Sequence, residues 1–334
     1  MQPVTIPPHT PHVPAKSQIW YNRCVLVLPA ELPFPTPPQE LYGRQGPWVL
    51  EIGFGDGRFL VELARAHPEW NLLGAEVAPA SVSRAIRRLR REGVEQARLY
   101  LGDGRFLLRN VTGPGSLERV YVNFPDPWPK QKHQHRRLLQ VSFFELLSTR
   151  LTAGGSLLFT TDHEEYFEFA LAEASASGLF SVEPAPPPPE TLRTKYAQKW
   201  LDQSKPIFHA RFTKERESDK TFPPVRRYPV PHALMQGELP AASEFSKLVQ
   251  TTDSANVVLL EAWQSDEGLV VLARVEEEDL AQEVLLEARP SAKGIYVGLR
   301  PNCSPLVTAG VKQAVGLLVG WLEKRGLAAA QRSY

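Results

Sequence analysis

An apolar run that ends in an acid and alternate glycines occupies residues 49–57, Val-Leu-Glu-Ile-Gly-Phe-Gly-Asp-Gly. This pattern predicts a buried strand that turns sharply into a helix, because glycine adopts the backbone conformations that such a turn requires. Dinucleotide sites use the spacing Gly-x-Gly-x-x-Gly, in which the third glycine lets the helix pack closely on the strand. Arg58 occupies that third position. The segment therefore predicts a nucleotide-like ligand at the turn and argues against a pyrophosphate.

Short apolar runs then alternate with segments of helical periodicity as far as residue 213. Such alternation is typical of βαβ units, which build a parallel sheet with helices on both faces. The predicted strands are residues 48–52, 71–77, 97–101, 118–123, 155–161, 179–183 and 206–213. The predicted helices are residues 57–66, 79–92, 136–150 and 164–177. We therefore predict an α/β fold, a doubly wound and mostly parallel seven-stranded sheet with its ligand at the carboxyl ends of the strands.

The segments on either side of this region differ from it in composition. The N-terminal arm is rich in proline, although an apolar run within it could form an isolated strand. The C-terminal part has alternating apolar runs and an apolar helix near residues 305–325, which predicts a small α+β module without a recognisable catalytic group. The predicted arm, ligand-binding domain, linker and C-terminal module are residues 1–40, 41–214, 215–231 and 232–334.

The formal net charge of +1 conceals an uneven distribution of charge. Residues 84–91 hold five arginines, and residues 130–137 hold two lysines, two arginines and two histidines. Residues 261–287 hold nine acids against one base. This distribution predicts a basic face for a polyanion beside an acidic module, or else two solvated surfaces. The arginines that recur at helical spacing and could hold phosphates are Arg84, Arg87, Arg88 and Arg91.

Cellular location is predicted from what the sequence contains. Cys24 and Cys303 form no spaced framework, so a reducing cytoplasm is the simplest setting. No apolar stretch approaches the ~18 residues that a membrane span needs. The N-terminus has prolines where a signal peptide would have a basic patch and an apolar run. We therefore expect a cytoplasmic protein without a membrane partner.

Acids follow each of the first three predicted strands. Glu51 would repel a phosphate but suits a ligand that carries an ammonium and a sulfonium. Glu76 can accept hydrogen bonds from ribose hydroxyls, as in both dehydrogenases and methyltransferases. Asp103 can receive an adenine amino group. Together with the glycine loop, these three acids resemble those of the class I methyltransferases that depend on S-adenosylmethionine.

A second motif, Asn-Phe-Pro-Asp-Pro-Trp-Pro-Lys, follows the fourth predicted strand at residues 123–130. Its three alternate prolines fix φ and remove backbone donors, which gives a stiff loop. A Pro-Asp-Pro segment by itself would be read as a rigid surface turn. Its position after the fourth strand, beside Trp128 and Lys130, instead favours the site of the methyl acceptor.

From about residue 40 to 213 the sequence closely resembles the bacterial tRNA (guanine-N7)-methyltransferases. The resemblance is carried by these two motifs, by Thr-Thr-Asp at residues 160–162 and by Thr-Lys-Tyr at residues 194–196. The resemblance implies methyl transfer from S-adenosylmethionine to the variable-loop guanosine, position 46, of tRNA by a monomer or homodimer. The arm and the acidic module lie outside the common core of the family and resemble additions in longer members from thermophilic or Deinococcus–Thermus-like bacteria. Ala197 departs from the family pattern, which has Glu there.

The same resemblance implies a role for individual residues. Asp126 would be the catalytic carboxylate. The residues implied to hold the cofactor are Glu51, Gly53, Gly55, Glu76, Asp103 and Asn123. The residues implied to touch the RNA are Lys130, Asp162, Thr194, Lys195 and Tyr196.

Guanine N7 carries a lone pair and no proton, so its attack on a sulfonium methyl needs no general base. Asp126 is therefore interpreted as an acceptor for the guanine N1–H and amino group, which orients the base and balances its forming positive charge. The histidines show no spacing typical of zinc sites, and we predict no metal. Two alternatives stay open: methylation of another RNA or of a protein, and an RNA-binding protein with a vestigial cofactor pocket, for which Ala197 is the only support.

Overall fold

A computed structural model of the protein describes residues 25–193, 197–198, 203, 205–301 and 305–334. These residues form two seven-stranded sheets. The first sheet contains β1 Trp48–Ile52, β2 Asn71–Glu76, β3 Ala97–Leu101, β4 Leu117–Asn123, β5 Leu151–Thr161, β6 Phe180–Pro184 and β7 Phe208–Lys214. The second contains β8 His232–Gln236, β9 Leu248–Thr251, β10 Asn256–Ser265, β11 Gly268–Glu276, β12 Ala281–Ser291, β13 Gly294–Leu299 and β14 Ala328–Arg332.

The first sheet has the strand order β3-β2-β1-β4-β5-β7-β6. Its first five strands are parallel, and β7 runs antiparallel between β5 and β6. The order reverses at β1, and the carboxyl ends of β1 to β5 lie along one edge. This arrangement confirms the predicted α/β fold with a mostly parallel, doubly wound sheet.

Helices cover both faces of the first sheet and one face of the second. They are α1 Pro38–Tyr42, α2 Arg58–Ala66, α3 Pro79–Arg91, α4 Gly104–Phe106, α5 Val141–Arg150, α6 Glu164–Ser177, α7 Pro189–Leu192 and α8 Ala309–Glu323. Helix α3 begins with proline at a position where a missing backbone N–H does no harm, and it buries Val82, Ala85 and Leu89 on one face. No helix in the described part of the chain is long and apolar enough to cross a membrane.

The predicted helix 136–150 begins later, at Val141. A 3₁₀ helix spans Gln131–Arg136 instead. The backbone N–H groups of Leu138 and Leu139 donate to the Tyr166 hydroxyl, at 3.1 and 3.4 Å, and are therefore not used in a helix. That acceptor belongs to α6, so local periodicity could not reveal it.

In the second sheet the strand order is β14-β8-β13-β12-β11-β10-β9, with antiparallel neighbours throughout. The alternating apolar runs correctly predicted β10 to β13 and helix α8. The sequence did not reveal β8, β9 and β14. Strands β9 and β14 are short and largely exposed, so they lack the apolar alternation that marks a half-buried strand.

Residues outside the first sheet contribute to its packing. The N–H of Val27 donates to Leu99 O at 2.7 Å, so the end of the arm lies against β3. Two residues of the predicted linker bond to the first domain. The Phe222 carbonyl accepts a hydrogen bond from Arg150 at 2.8 Å, and the Val225 N–H donates to Asn110 Oδ1 at 2.6 Å. These hydrogen bonds attach residues 222–225 firmly to the first domain.

Candidate active site

The glycine loop between β1 and α2 leaves open space at the edge of the sheet. Gly53 and Gly55 have φ of 81° and 57°, and a Cβ built on either would meet no atom of the described residues within 4 Å. Gly57 has φ of 77° and lies against α3, where an added Cβ would be 2.9 Å from Ala85 Cβ. The first two glycines thus keep the loop accessible to a ligand, and the third permits close helix packing.

Glu51 is a buried acid that forms no ion pair with any cation in the described part of the chain. Its side chain is 2% exposed, and Oε2 has no hydrogen-bond partner among the described residues. Burial raises the pKa of Glu51 to about 8, with smaller contributions from the charges of Glu76 and Asp56, while the Asn123 amide acts in the opposite direction. Both polar side-chain atoms of Asn123 are also buried without a partner among these residues. A cationic ligand with hydrogen-bonding groups would satisfy both side chains.

Glu76 holds the glycine loop in place. Its two carboxylate oxygens accept hydrogen bonds from the N–H groups of Gly55 and Ala78, each at 2.9 Å. A carboxylate has about four acceptor sites, so Glu76 retains capacity for ribose hydroxyls. The structure thus adds a structural task to the predicted ligand role of Glu76.

Asp103 follows β3 and begins helix α4. It accepts a hydrogen bond from the Arg105 N–H at 2.8 Å, and the Arg105 guanidinium donates to it at 2.6 to 3.2 Å. Because β3, β2 and β1 are adjacent, Asp103 shares one edge of the sheet with Glu76 and Glu51. The three acids predicted from the sequence are therefore brought together.

The loop after β4 begins at that same edge. Asp126 lies three residues after Asn123, so their Cα atoms are at most about 11 Å apart. Asp126 is exposed and therefore accessible to a large substrate. Phe124 and Trp128 have φ of 50° and 45°, values that bulky residues rarely adopt. Such strain is characteristic of functional loops and requires support from neighbouring residues.

Arg137, which sequence reasoning passed over, provides that support. Its side chain is buried, and Nε donates to Pro127 O at 2.9 Å. Nη2 donates to Glu165 at 3.0 Å. The guanidinium also lies over the rings of Tyr166 and Phe169, at 5.2 and 4.8 Å. The only sequence signal was its membership of the basic run 130–137, which does not distinguish an anchoring arginine from a solvated one.

Basic and aromatic groups surround the Asp126 loop. Lys130 is exposed, and Arg136 lies over the Trp128 ring at 5.0 Å. Asp162 is half-buried and follows β5, whose Thr160 pairs with Asn123 of β4. The predicted residues Thr194, Lys195 and Tyr196 lie outside the described residues.

The four arginines of α3 that recur at helical spacing are not equivalent. Arg88 donates to the backbone and side-chain oxygens of Asp56, each at 2.9 Å, and so supports the glycine loop. Arg91 pairs with Glu92 at 2.7 Å. Arg84 and Arg87 are exposed, and each donates a hydrogen bond to its own helix, Arg84 to Ser81 Oγ and Arg87 to Ser83 O. A phosphate-binding role therefore suits Arg84 and Arg87 better than Arg88.

These features fit S-adenosylmethionine. The carboxylate of Glu51 and the amide of Asn123, whose polar atoms are buried, suit its cationic amino acid end, Glu76 suits the ribose and Asp103 suits the adenine amino group. Arg58 occupies the position of the third glycine in the dinucleotide spacing, which makes a pyrophosphate a poorer fit. Among the described residues, no three His, Cys, Asp or Glu side chains are grouped as metal ligands.

Comparison with known proteins gives a consistent result. The family model described as "Putative methyltransferase" matches residues 45–210. A tRNA (guanine-N(7)-)-methyltransferase of Thermus thermophilus is 56% identical over 92% of this chain and 99% of its own length. The protein of the same name from Deinococcus radiodurans is 44% identical over 90% of this chain and 97% of its own length. This chain belongs to the tRNA (guanine-N(7)-)-methyltransferase family.

Proposed function

We propose that the protein transfers a methyl group from S-adenosylmethionine to N7 of the variable-loop guanosine, position 46, of tRNA. The observation that best supports this is the short connection between Asn123, whose amide is buried beside Glu51, and the exposed Asp126. Asn123, at the edge proposed to bind the donor, and Asp126, proposed to bind the acceptor, are then joined by one rigid loop. Two relatives that align over nearly the whole chain carry the name tRNA (guanine-N(7)-)-methyltransferase, which agrees with methyl transfer to a guanine N7 of tRNA.

The chemistry asks little of the protein beyond alignment and charge. When bound, S-adenosylmethionine supplies the methyl group on a sulfonium. Asp126 accepts hydrogen bonds from the guanine N1–H and amino group and so orients N7. Because the purine becomes cationic during transfer, the same carboxylate stabilises the transition state. Alignment can contribute up to about 7–11 kcal/mol, and one fixed charge about 3–4 kcal/mol by analogy with an oxyanion-hole donor.

Other residues position the two substrates. Ionised Glu51, with Asn123, holds the cationic end of the donor, and Glu76 and Asp103 hold its adenosine. Gly53 and Gly55 provide space for it. On the RNA side, Lys130, Asp162, Thr194, Lys195 and Tyr196 contact the tRNA. Trp128 offers a ring on which an extruded base can stack, and extrusion itself costs a few kcal/mol.

The test of this function uses labelled donor and two unmodified tRNA transcripts that differ only in having guanosine or adenosine at position 46. We expect label in the first transcript alone. Asp126→Ala should lower kcat at least ~100-fold, the scale of one lost electrostatic contact, while donor affinity stays within about 2-fold.

The exposed acid Asp219 gives a control, because Asp219→Ala removes a surface carboxylate outside the proposed site. Equal loss of donor binding and turnover in Asp126→Ala would assign that residue to the cofactor site instead. Label in both transcripts would overturn the proposed position in the tRNA.

We also propose a cytoplasmic protein, monomeric or homodimeric, because its substrate is tRNA. The proposed division is an arm at residues 1–40, a methyltransferase domain at 41–214, a linker at 215–231 and a C-terminal module at 232–334. The two separate sheets support the division between the methyltransferase domain and the C-terminal module.

A further inference from the structure

The turn between β11 and β12, residues 277–280, lies against the methyltransferase domain. Arg109 of that domain bonds Glu278 with Nη1 at 2.5 Å and Asp279 with Nη2 at 2.7 Å. The Asp279 side chain is 5% exposed and that of Glu278 is 81% exposed. Leu280 packs in the hydrophobic core of the first domain. The module is thus attached there by a buried ion pair and an apolar side chain.

Arg109 belongs to a π-helical turn, Leu107–Val111, which directly continues helix α4. π-Helical turns are rare and occur frequently at functional sites. Asn110 of this turn accepts the Val225 N–H, and Arg150 donates to Leu108 O at 2.8 Å. The segment that follows Asp103 is therefore held by the linker and the C-terminal module together.

A row of charges runs from this turn to the proposed adenine site. Asp279 interacts electrostatically with Arg109 and Glu278, and also with Asp103 and Arg105. Arg105 forms an ion pair with Asp103, in which its guanidinium donates to both carboxylate oxygens. Burial raises the pKa of Asp279 to about 6. The side chain is therefore mostly ionised at neutral pH. Its negative charge attracts Arg105 as well as Arg109.

Loss of that charge would change the balance around Asp103. Arg109 is largely buried, and without the charge of Asp279 its remaining acidic partner is the exposed Glu278, which compensates a buried cation poorly. The π-helical turn would then have to move, or the guanidinium would turn toward the next acid. Arg105 would also be attracted more exclusively to Asp103, since only the exposed Glu278 would remain as a second acid acting on it. Both changes draw the Asp103 oxygens away from an incoming adenine.

We propose that the Arg109–Asp279 ion pair positions Asp103 for the adenine end of the donor, so that the C-terminal module sets donor affinity. The proposal rests on the proposed role of Asp103. Asp279 and Arg109 are positioning residues, since neither is assigned a contact with either substrate. The module therefore affects the reaction through the cofactor site and not through the RNA.

The test is done in the full-length protein and compares Asp279 and Glu278, the two acids that bond the Arg109 guanidinium. Asp279→Asn removes the buried charge, and Glu278→Gln removes the exposed charge as its matched control. We expect Asp279→Asn to raise the Kd for S-adenosylhomocysteine, measured by calorimetry without RNA, at least about 5-fold, the lower end of usual couplings between sites. Glu278→Gln should stay within about 2-fold.

Steady-state kinetics should separate positioning from general destabilisation. In Asp279→Asn, KM for the donor should rise with its Kd, whereas kcat at saturating donor and KM for tRNA should stay within about 2-fold. A lower melting temperature with unchanged donor Kd would mean that the pair only stabilises the fold, and would overturn the proposal.

Two further variants complete the test. Arg109→Lys keeps the charge opposite Asp279 but cannot bond both acids, so donor Kd should rise even if Asp279→Asn fails to fold; an unchanged Kd would contradict the inference. Asp103→Asn tests the underlying assignment. Weak donor binding in Asp103→Asn but not in Asp279→Asn or Arg109→Lys would reject the positioning role alone. Normal donor binding in Asp103→Asn would reject the assignment of Asp103 itself.

Discussion

At the scale of single residues, the burial of the Glu51 carboxyl opposes the stability of the folded chain as pH rises. Its pKa, raised from 4.5 to about 8 mainly by burial, means that the folded chain binds this proton more tightly than the unfolded chain. The folded state therefore loses stability as pH rises from about 4.5 through 8. A bound sulfonium and ammonium reverse this preference, because they favour the ionised carboxylate.

Glu51→Gln is expected to stabilise the ligand-free protein at high pH. The amide removes the unfavourable ionisation, so the melting temperature should exceed that of the parent by about 3 °C or more at pH 9. Below pH 4.5 the two proteins should differ little, since both side chains are then neutral. Scanning calorimetry at several pH values measures this difference.

The exposed Glu118 provides the control, because Glu118→Gln should show no difference that grows with pH. The stabilised Glu51→Gln protein should also bind the donor more weakly. A destabilised variant at pH 9, or a difference independent of pH, would contradict this account of Glu51.

At the scale of elements, the Asp126 loop depends on a side chain from its C-terminal flank. Phe124 and Trp128 keep unfavourable backbone angles while Arg137 holds the carbonyl of Pro127 between them. The three prolines cannot supply this support, because they lack the N–H groups that would hold the loop. The loop is stiff because of its own sequence, but its position is set by α6 through Tyr166 and Glu165.

Arg137→Met should therefore misplace the acceptor carboxylate. We expect kcat to fall about 10- to 100-fold, because a shift of about 1 Å in a reacting group can cost 100-fold. Donor affinity should stay within about 2-fold, since the loop is not the main donor contact. The measurements are kcat with saturating tRNA and calorimetric donor binding.

Glu165→Gln gives the matched comparison, because the amide oxygen still accepts from Arg137. Its kcat should fall no more than about 3-fold, as expected for a half-exposed ion pair. An Arg137→Met protein with full kcat would show that the prolines alone position the loop.

At the scale of the whole molecule, opposite charges are separated in space. The basic run 130–137 follows the Asp126 loop, whereas the acids of residues 261–287 lie on strands β10 to β12 and in the turns between them. An RNA that approaches the active site is attracted on one side and repelled on the other. The acidic module thus favours one orientation of a polyanion.

tRNA affinity should accordingly fall about 10-fold or more between 50 and 200 mM salt, because several phosphate contacts release counterions. Lys130→Ala and Lys132→Ala should each reduce the slope of log affinity against log salt by about 1. Lys293→Ala, on the exposed β12–β13 turn, should leave that slope unchanged. Filter binding at several salt concentrations measures the slope for the parent and the three variants. A slope near zero for the parent would exclude binding through several phosphate contacts.

The sequence predicted the parts of the site that depend on strand ends. Glu51, Glu76 and Asp103 each follow an apolar run, and parallel topology places such positions on one edge whatever the details of packing. The glycine spacing indicated the kind of ligand for the same local reason. Arg137 and Asp279 were missed, because each acts on a partner from another element: Arg137 on Pro127 and Glu165, and Asp279 on Arg109.

The fold class, the glycine loop and the acidic strand ends were determined by the sequence itself, since periodicity and backbone sterics act over a few residues. The tertiary structure alone decided which charges are buried and which pairs they form. Arg88 and Arg91 look alike in the sequence, yet one bonds Asp56 and the other Glu92. Burial and pairing depend on which surfaces meet, and that is known only after distant segments have packed together.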